Sequence, residues 1–436
     1  MAQYEKNSLS LAGAVALGTG VMVGAGIFAL TGQVAQLAGA WFPLAFLLAA
    51  VVSGLSAHSY ITVSRKYPSA GGIAMILSKA YGQTAVAAGA AMLMAFSMVI
   101  NESLVARTFG TYTLQLFGVP PTSVWVPVLA VGVILVGFGI NLAGNQAIGT
   151  VSKVGAVVKV GGVTLFAVAT LWTAGVDYRA AGGPETSAGP GGLLAATALG
   201  ILAYKGFTTI TNSGDEVRDP HRNVGRAIVI ALLVCVMLYL LVAFAVGSSL
   251  TIPEIVQARD YSLAEASRPA FGDAGVTFTV VVAIVATVTG LLASFFAVSR
   301  MLAMLTEMKL IPHRHFGMPG GIQQHTLVYT VVIAGTLAVL FDLSRIAAIG
   351  AIFYLVMDIT VQWGVYRHLR QDVGARPTIL IAAMLADAVA LAAFLILRGQ
   401  QDLVAVLGAI AAVAAIFAFE SLYLRHRTET GEASTS

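Results

Sequence analysis

The chain has 436 residues, 58% hydrophobic and only 10% charged, with a formal net charge of +4 and a mean hydropathy of +0.87. Soluble domains carry about 25% charged residues, so this composition excludes a soluble enzyme on a membrane anchor and describes a polytopic membrane protein. The pI of 9.1 reads as loop lysine and arginine, and without a basic–aromatic tract no nucleic-acid partner is expected.

A spanning helix needs about 20 mostly apolar residues. On that ruler twelve segments follow one another, at about 9–38, 41–64, 84–117, 124–143, 148–174, 191–215, 225–250, 274–306, 326–341, 345–366, 377–397 and 402–424. The polar tail Ala2 to Asn7 is short. The apolar run behind it exceeds the ~7–15 residues of a signal core, so no cleavable signal is expected. The one cysteine, Cys235, has no partner for an internal disulfide.

The first segment is the least regular. Gly20, Gly24 and Gly26 fall within seven residues, and glycine costs roughly 1 kcal/mol against alanine in a helix interior. Broken backbone inside a bilayer is tolerated only where protein buries it or it lines a cavity. One reading is a helix-packing seam, since Gly20-x-x-x-Gly24 is a small-residue motif. The other is half of a solute site formed by Val23, Gly24, Ala25, Gly26 and Ile27. On this second reading Val23 to Ile27 are expected to be non-helical, to face Gly206, and to lie within hydrogen-bond reach of Lys159.

After the second segment, Ala70-Gly71-Gly72 precedes Ile73 to Leu77, a candidate short interfacial helix. Asn101-Glu102 interrupts the third segment, and Lys159 lies mid-way along the fifth. Ionisable residues in spanning helices are costly and are functional hypotheses by default. Glu102 pairs with Arg107, at a spacing poor for helical contact, or else serves a substrate ammonium or a proton. A lysine out of water gives up its charge readily; Lys159 is therefore a candidate proton carrier, or else a fixed brace for the broken first helix. Residues 175–190 are rich in glycine and proline and read as irregular. Thr251-Ile252-Pro253-Glu254 is a helix-start signature in the loop 251–273.

The sixth segment carries a second glycine-centred break, Ala203-Tyr204-Lys205-Gly206-Phe207-Thr208. Five segments separate the two breaks, so the second copy runs inverted. Matching interrupted helices in two halves are the best sequence pointer to a transporter site at the bilayer midplane. Half-helix N-termini attract a carboxylate and C-termini attract a cation, which together suit a zwitterion. Tyr204, Lys205, Gly206, Phe207 and Thr208 join the candidate substrate site, with Asn101 across from them. Phe207 is a candidate outer gate, or ordinary packing. Lys205 lies beside the pocket, or snorkels away from it. Asp358, Asp387, Glu420 and His58 also fall in or near segments. Asp358 is a gating candidate; Asp387 and Glu420 read as packing or oligomer contacts, and His58 as a helix–helix hydrogen bonder.

Loop charge sets orientation. Of the 24 lysines and arginines, sixteen fall on the side of the termini, among them Arg65, Lys66, Arg218, Arg222, Arg300 and Arg314. Five fall opposite and three, Arg107, Lys159 and Lys205, inside segments. That bias places both termini in the cytoplasm.

These residues resemble a known family. Gly24-Ala25-Gly26-Ile27-Phe28, Tyr67-Pro68-Ser69-Ala70-Gly71-Gly72, Ala203-Tyr204-Lys205-Gly206-Phe207, Glu216 through Asn223, and Ser299-Arg300-Met301-Leu302 with Leu310-Ile311-Pro312 are similar, in order, to motifs of the amino acid–polyamine–organocation transporters. The resemblance implies an all-α membrane fold, the LeuT-type five-plus-five inverted repeat with helices one and six broken and two helices added. The whole chain, 1–436, would be one transmembrane domain, with repeats at about 8–174 and 191–368 and added helices at about 377–424. It implies secondary transport of an amino acid or amine. Lys159 matches the helix-five lysine of proton-coupled members, near the carbonyls of Val23 and Gly24. Glu102 matches a helix-three acid of the cationic branch. Thr208 stands where several relatives carry an acid, which argues against a dicationic substrate.

No Gly-x-x-x-x-Gly-Lys-[Ser/Thr] phosphate loop occurs, no metal-ligand spacing and no nucleophile elbow. No cofactor, metal or enzyme activity is therefore expected. The sequence reading is a cell-membrane secondary transporter with an amino acid or amine as substrate, a proton as coupling partner, and lipid around it. An exchanger, an inorganic cation channel and a non-transporting solute sensor are the alternatives. Its oligomeric state is left open.

Overall fold

The computed structural model describes residues 7–69, 71–142, 145–175, 177–182, 189–308, 310–311 and 321–429. Ala70, Pro312, Lys6, Lys309, Arg314 and the loop residues 183–188 lie outside that set.

With no water in the hydrocarbon to satisfy free backbone groups, an apolar chain of this kind must fold as helices. Helix α1 is a bent unit, Leu11–Val21 and Ile27–Ala38 joined by the π-helical turn Met22–Gly26. Helix α2 is Phe42–Lys66, α3 Ala85–Gln115, α4 Trp125–Leu142 and α5 Asn145–Ala174. Helix α6 comprises Pro190–Tyr204, the 3-10 turn Lys205–Phe207 and Thr208–Asn212. Helix α7 is Pro220–Ser249, α8 Ser262–Glu307 and α9 Ile322–Leu340. Helix α10 is Leu343–Gly364, continued by the π turn Val365–Leu369 and Arg370–Val373; α11 is Pro377–Gln401 and α12 Leu403–Glu429. Among the described residues, eleven helices are long and apolar enough to span on their own, and bent α1, taken as one span, makes the twelfth. Among the described residues the only extended pairing is a bridge between Leu9 and Val217. The chain is an all-α, multi-pass membrane protein.

Local chemistry explains where these helices begin. The Gly13 amide donates to Ser10 Oγ (3.1 Å) at the start of α1, and the Arg345 amide to Asp342 Oδ1 (2.8 Å) at the start of α10. Pro43, Pro220 and Pro377 stand in first turns, where the missing N–H costs nothing. The short helix Gly72–Tyr81 forms where an interfacial helix is expected. The outer helix Ile252–Gln257 starts on a capping box of Thr251 and Glu254, whose carboxyl is held below the usual range by the Thr251 amide and hydroxyl. The eighth segment is longer than the sequence suggests. It begins at Ser262 and breaks at Gly272 (φ 56°), where a positive φ separates a short leading helix, packed inward through Leu263 and Ala266, from the span proper.

Helices α1 and α6 run through the centre. The apolar window of α6 is 89% buried within the protein, that of α12 only 17%, so α12 presents Val404, Leu407 and Leu422 outward to lipid. Small residues let the central backbones approach. A Cβ on Gly24 would stand 3.0 Å from the Ala286 carbonyl oxygen of α8, and one on Gly206 would stand 2.8 Å from the Met22 nitrogen.

Both ends of this core are fastened. On the face carrying the first described residues, Leu9 exchanges backbone hydrogen bonds with Glu216 (2.8 Å) and Arg218 (2.9 Å), and Arg300 of α8 pairs with Glu216. On the opposite face, Gln33 Nε2 of α1 donates to Asp260 Oδ1 (2.7 Å) and Tyr178 donates to the Ala40 carbonyl (2.7 Å). Burial pushes the Asp260 carboxyl above the usual carboxylate range, against the pull of Arg259.

Candidate functional site

The α1 break differs in form from the unwound stretch the sequence suggests. Its backbone stays helical but widens to π geometry over Met22–Gly26, and the flanking halves bend by 50°. A π turn shifts the hydrogen-bond pairing by one residue, and side chains take up carbonyls around it. Lys159 Nζ of α5 donates to the Gly20 carbonyl (2.9 Å) and to Thr289 Oγ1 of α8 (3.2 Å). The Thr289 hydroxyl proton is directed to the Val285 carbonyl (2.7 Å), so its oxygen is free to accept from the ammonium. Lys159 is thus bonded one turn earlier than Val23 and Gly24, on the α1 half that precedes the bulge.

Tyr239 of α7 joins the two breaks. Its hydroxyl lies 2.7 Å from the Met22 carbonyl of α1 and 3.1 Å from the Ala203 carbonyl of α6, and its single proton serves one of them at a time. The ring stacks on Tyr204 at 4.8 Å. Gly206 faces Met22 and Val21, so the two breaks do meet, at the two residues just before the expected Val23–Ile27. Val23, Ile27, Asn101, Tyr204, Phe207 and Thr208 are all buried. The side chain of Ala25 lies outside the described set.

Glu102 does not pair with Arg107. Arg107 donates to the Ala338 carbonyl of α9 (2.7 Å), while Ser294 Oγ of α8 donates to Glu102 Oε1 (3.0 Å). The spacing along α3 turns the two charges apart, as one helical turn per 3.6 residues requires. Glu102 Oε2 is buried without a hydrogen-bond partner among the described residues. Lys205 does not snorkel: its ammonium donates to the Ser97 carbonyl of α3 (2.7 Å) and to Ser97 Oγ (3.1 Å), within electrostatic reach of Glu102. Thr208 Oγ1 donates back to the Lys205 carbonyl (2.8 Å). The Phe207 ring packs edge-on against Tyr60 of α2 at 5.4 Å. Tyr60 is near the Lys66 end of α2, so Phe207 lies toward that end of the bundle.

A family model described as amino acid permease matches residues 9–421. The chain belongs to the amino acid permease family. It is 27% identical over 409 residues to the inner membrane transport protein YbaT of Escherichia coli, covering 92% of this chain and 94% of that one. It is 28% identical over 425 residues to the uncharacterized protein MJ0609 of Methanocaldococcus jannaschii, covering 97% and 96%. A vacuolar protein of Arabidopsis thaliana, cationic amino acid transporter 4, is 28% identical over 310 residues, 66% of this chain and 49% of that protein. Family membership makes the chain a transporter, not an enzyme.

In this permease several site residues escape the sequence reading. Tyr239, Thr289, Ser294 and Ser97 look like ordinary polar residues of apolar helices, and nothing local marks them. Tyr239 carries the one available hint, an aromatic hydroxyl within the apolar run Val236 to Val242, since a buried tyrosine hydroxyl usually finds a partner.

Proposed function

We propose that this amino acid permease is a secondary active transporter of an amino acid or related amine, working by alternating access, coupled to protons through Lys159 and independent of sodium. The observation that carries this reading is the buried Lys159 ammonium bonded to Gly20 Oof α1 and Thr289 of α8. A proton on that nitrogen ties α5, α1 and α8 together just before the π bulge. Loss of the proton removes the charge from both bonds and frees α1 to move against α8. An ammonium in this position also repels a second cation, which supports sodium independence.

The solute would lie between α1, α3, α6, α8 and α10, where the helix breaks release backbone groups. Its carboxylate would meet amides of Val23, Gly24, Ala25, Gly26 and Ile27, with Gly206 opposite. Its ammonium would meet Glu102 Oε2, the buried oxygen left free by Ser294, beside Asn101. Tyr204, Lys205 and Thr208 would line the pocket, and Phe207 would gate it from the side of Tyr60. The two five-helix halves, 8–174 and 191–368, would act as inverted repeats braced by helices 377–424. Both termini would face the cytoplasm of a cell membrane.

A thermal-shift screen of the purified protein against amino acids and polyamines tests the substrate class. A solute at one hundred times its Kd stabilises the folded state by about 2.7 kcal/mol. Stabilisation by one or a few amino acids, followed by saturable uptake of the same solutes into proteoliposomes, is the expected result. Binding without flux would instead mark a sensor.

A further inference from the structure

Away from the α1–α6 site, three helices enclose a polar cluster in otherwise apolar surroundings. Asp358 of α10 accepts from Tyr60 of α2, from Ser56 Oγ of α2 at 2.5 Å and from Gln362 Nε2 of α10 at 3.0 Å. The same Gln362 amide nitrogen donates to Asp387 Oδ2 of α11 at 2.7 Å, so one nitrogen bridges the two carboxyl groups and holds them side by side. Asp358, Asp387 and Gln362 are each fully buried. No cation pairs with either carboxylate among the described residues. Asp387 Oδ1 and Gln362 Oε1 have no hydrogen-bond partner among the described residues.

Two adjacent carboxylates in such a place cannot both stay ionised, because neither water nor a counter-ion offsets their repulsion. We infer that Asp358 and Asp387 form a second proton-binding site, separate from Lys159, in which the pair holds one proton between α10 and α11. The donor count says where the proton resides. Asp358 receives three hydrogen bonds, which favour its anion, whereas Asp387 receives one and has an oxygen free. The proton therefore sits on Asp387 and is shared toward Asp358. Every group facing the pair fits this state: α2 contributes Ser56 and Tyr60, α10 contributes Gln362 and the Tyr354 phenol, and none brings a positive charge. His58 of α2 is engaged elsewhere, accepting from the Arg376 amide (3.0 Å). Asp387 thereby has a role beyond the packing or oligomer contact expected from its place in the added helices. The site also touches the transport core, since Tyr60 bonds Asp358 and packs on Phe207 beside the α6 break.

Infrared spectroscopy of the full-length protein with isotope label confined to aspartate carboxyls tests this, in an Asp260→Asn background that removes the half-buried Asp260 carboxyl. At neutral pH a protonated-carboxyl band should appear that shifts with the label and in deuterated water. It should be lost in Asp387→Asn, altered in Asp358→Asn and kept in Lys159→Ala. Absence of the band in the parent protein overturns the inference, and that measurement needs no further variant to fold. Loss of the band on replacing choline chloride with sodium chloride also overturns it, because the pair would then be a metal-cation site.

Discussion

Lys159→Arg and Lys159→Ala together separate a proton carrier from a structural brace. The Lys159 ammonium makes two hydrogen bonds, to the Gly20 carbonyl and Thr289 Oγ1. Each bond to a charged group contributes about 1.5–3 kcal/mol, and burying the ammonium costs several kcal/mol in return. The balance for folding is small, so Lys159→Ala should still yield folded protein, melting within roughly 10 °C of wild type. Transport should change far more. One pH unit supplies about 1.4 kcal/mol per proton, a tenfold ceiling on accumulation. In proteoliposomes with a one-unit inward proton gradient, wild type should approach that ceiling for a one-proton stoichiometry. Lys159→Ala should only equilibrate the solute, to a ratio of about one, with counterflow retained. Arginine keeps the charge but cannot release its proton, so Lys159→Arg should also lose accumulation. Wild-type accumulation by Lys159→Arg would leave only the brace, and wild-type accumulation by Lys159→Ala would remove both roles.

Four other outcomes follow from named contacts. Gly206→Ala places a Cβ 2.8 Å from the Met22 nitrogen, a backbone atom that cannot step aside; uptake should fall at least tenfold, and unchanged kinetics would show that the two breaks need not stay in contact. Tyr239→Phe removes the hydroxyl between Met22 O and Ala203 O and should cost about 1–2 kcal/mol, read as a lower melting temperature with solute absent. Glu102→Gln keeps the Ser294 contact but removes the charge offered to a substrate ammonium; KM should rise at least tenfold with expression unchanged, and an unaltered KM would place the ammonium elsewhere. Asp260 is half-buried with its carboxyl raised above the usual range, so its stability contribution is greatest below the unfolded-state carboxylate range and is lost as pH rises through the folded value. Asp260→Asn should accordingly melt higher than wild type at neutral pH, with the difference closing on acidification.

The number and order of helices were legible because the bilayer leaves little choice: an apolar run of sufficient length must become a helix. The two breaks were legible from Gly20, Gly24, Gly26 and Gly206, residues whose only use in a span is close approach or distortion. Their form was not, because π widening and full unwinding need the same small residues and differ only in which carbonyls find partners. Those partners, Lys159, Thr289 and Tyr239, lie on helices far away in sequence. Lys205 shows the same limit, since a lysine beside a break can run to the pocket, the surface or a neighbouring helix, and Ser97 of α3 decided it. Asp358 and Gln362, four residues apart, share one helix face, but nothing in the sequence brings Asp387 to that face. Helix α8 begins earlier than its apolar run because its first turns are a separate short helix that ends at Gly272.

The most direct test of the central claim is uptake by purified wild-type protein in sodium-free proteoliposomes. With potassium and choline salts only, an imposed acid-outside gradient should drive saturable accumulation of the amino acid that stabilises the protein, and a protonophore should abolish it. Accumulation that requires sodium, or that ignores the pH gradient, would contradict proton coupling. No flux of any amino acid or amine under the gradient would contradict the proposed transport itself.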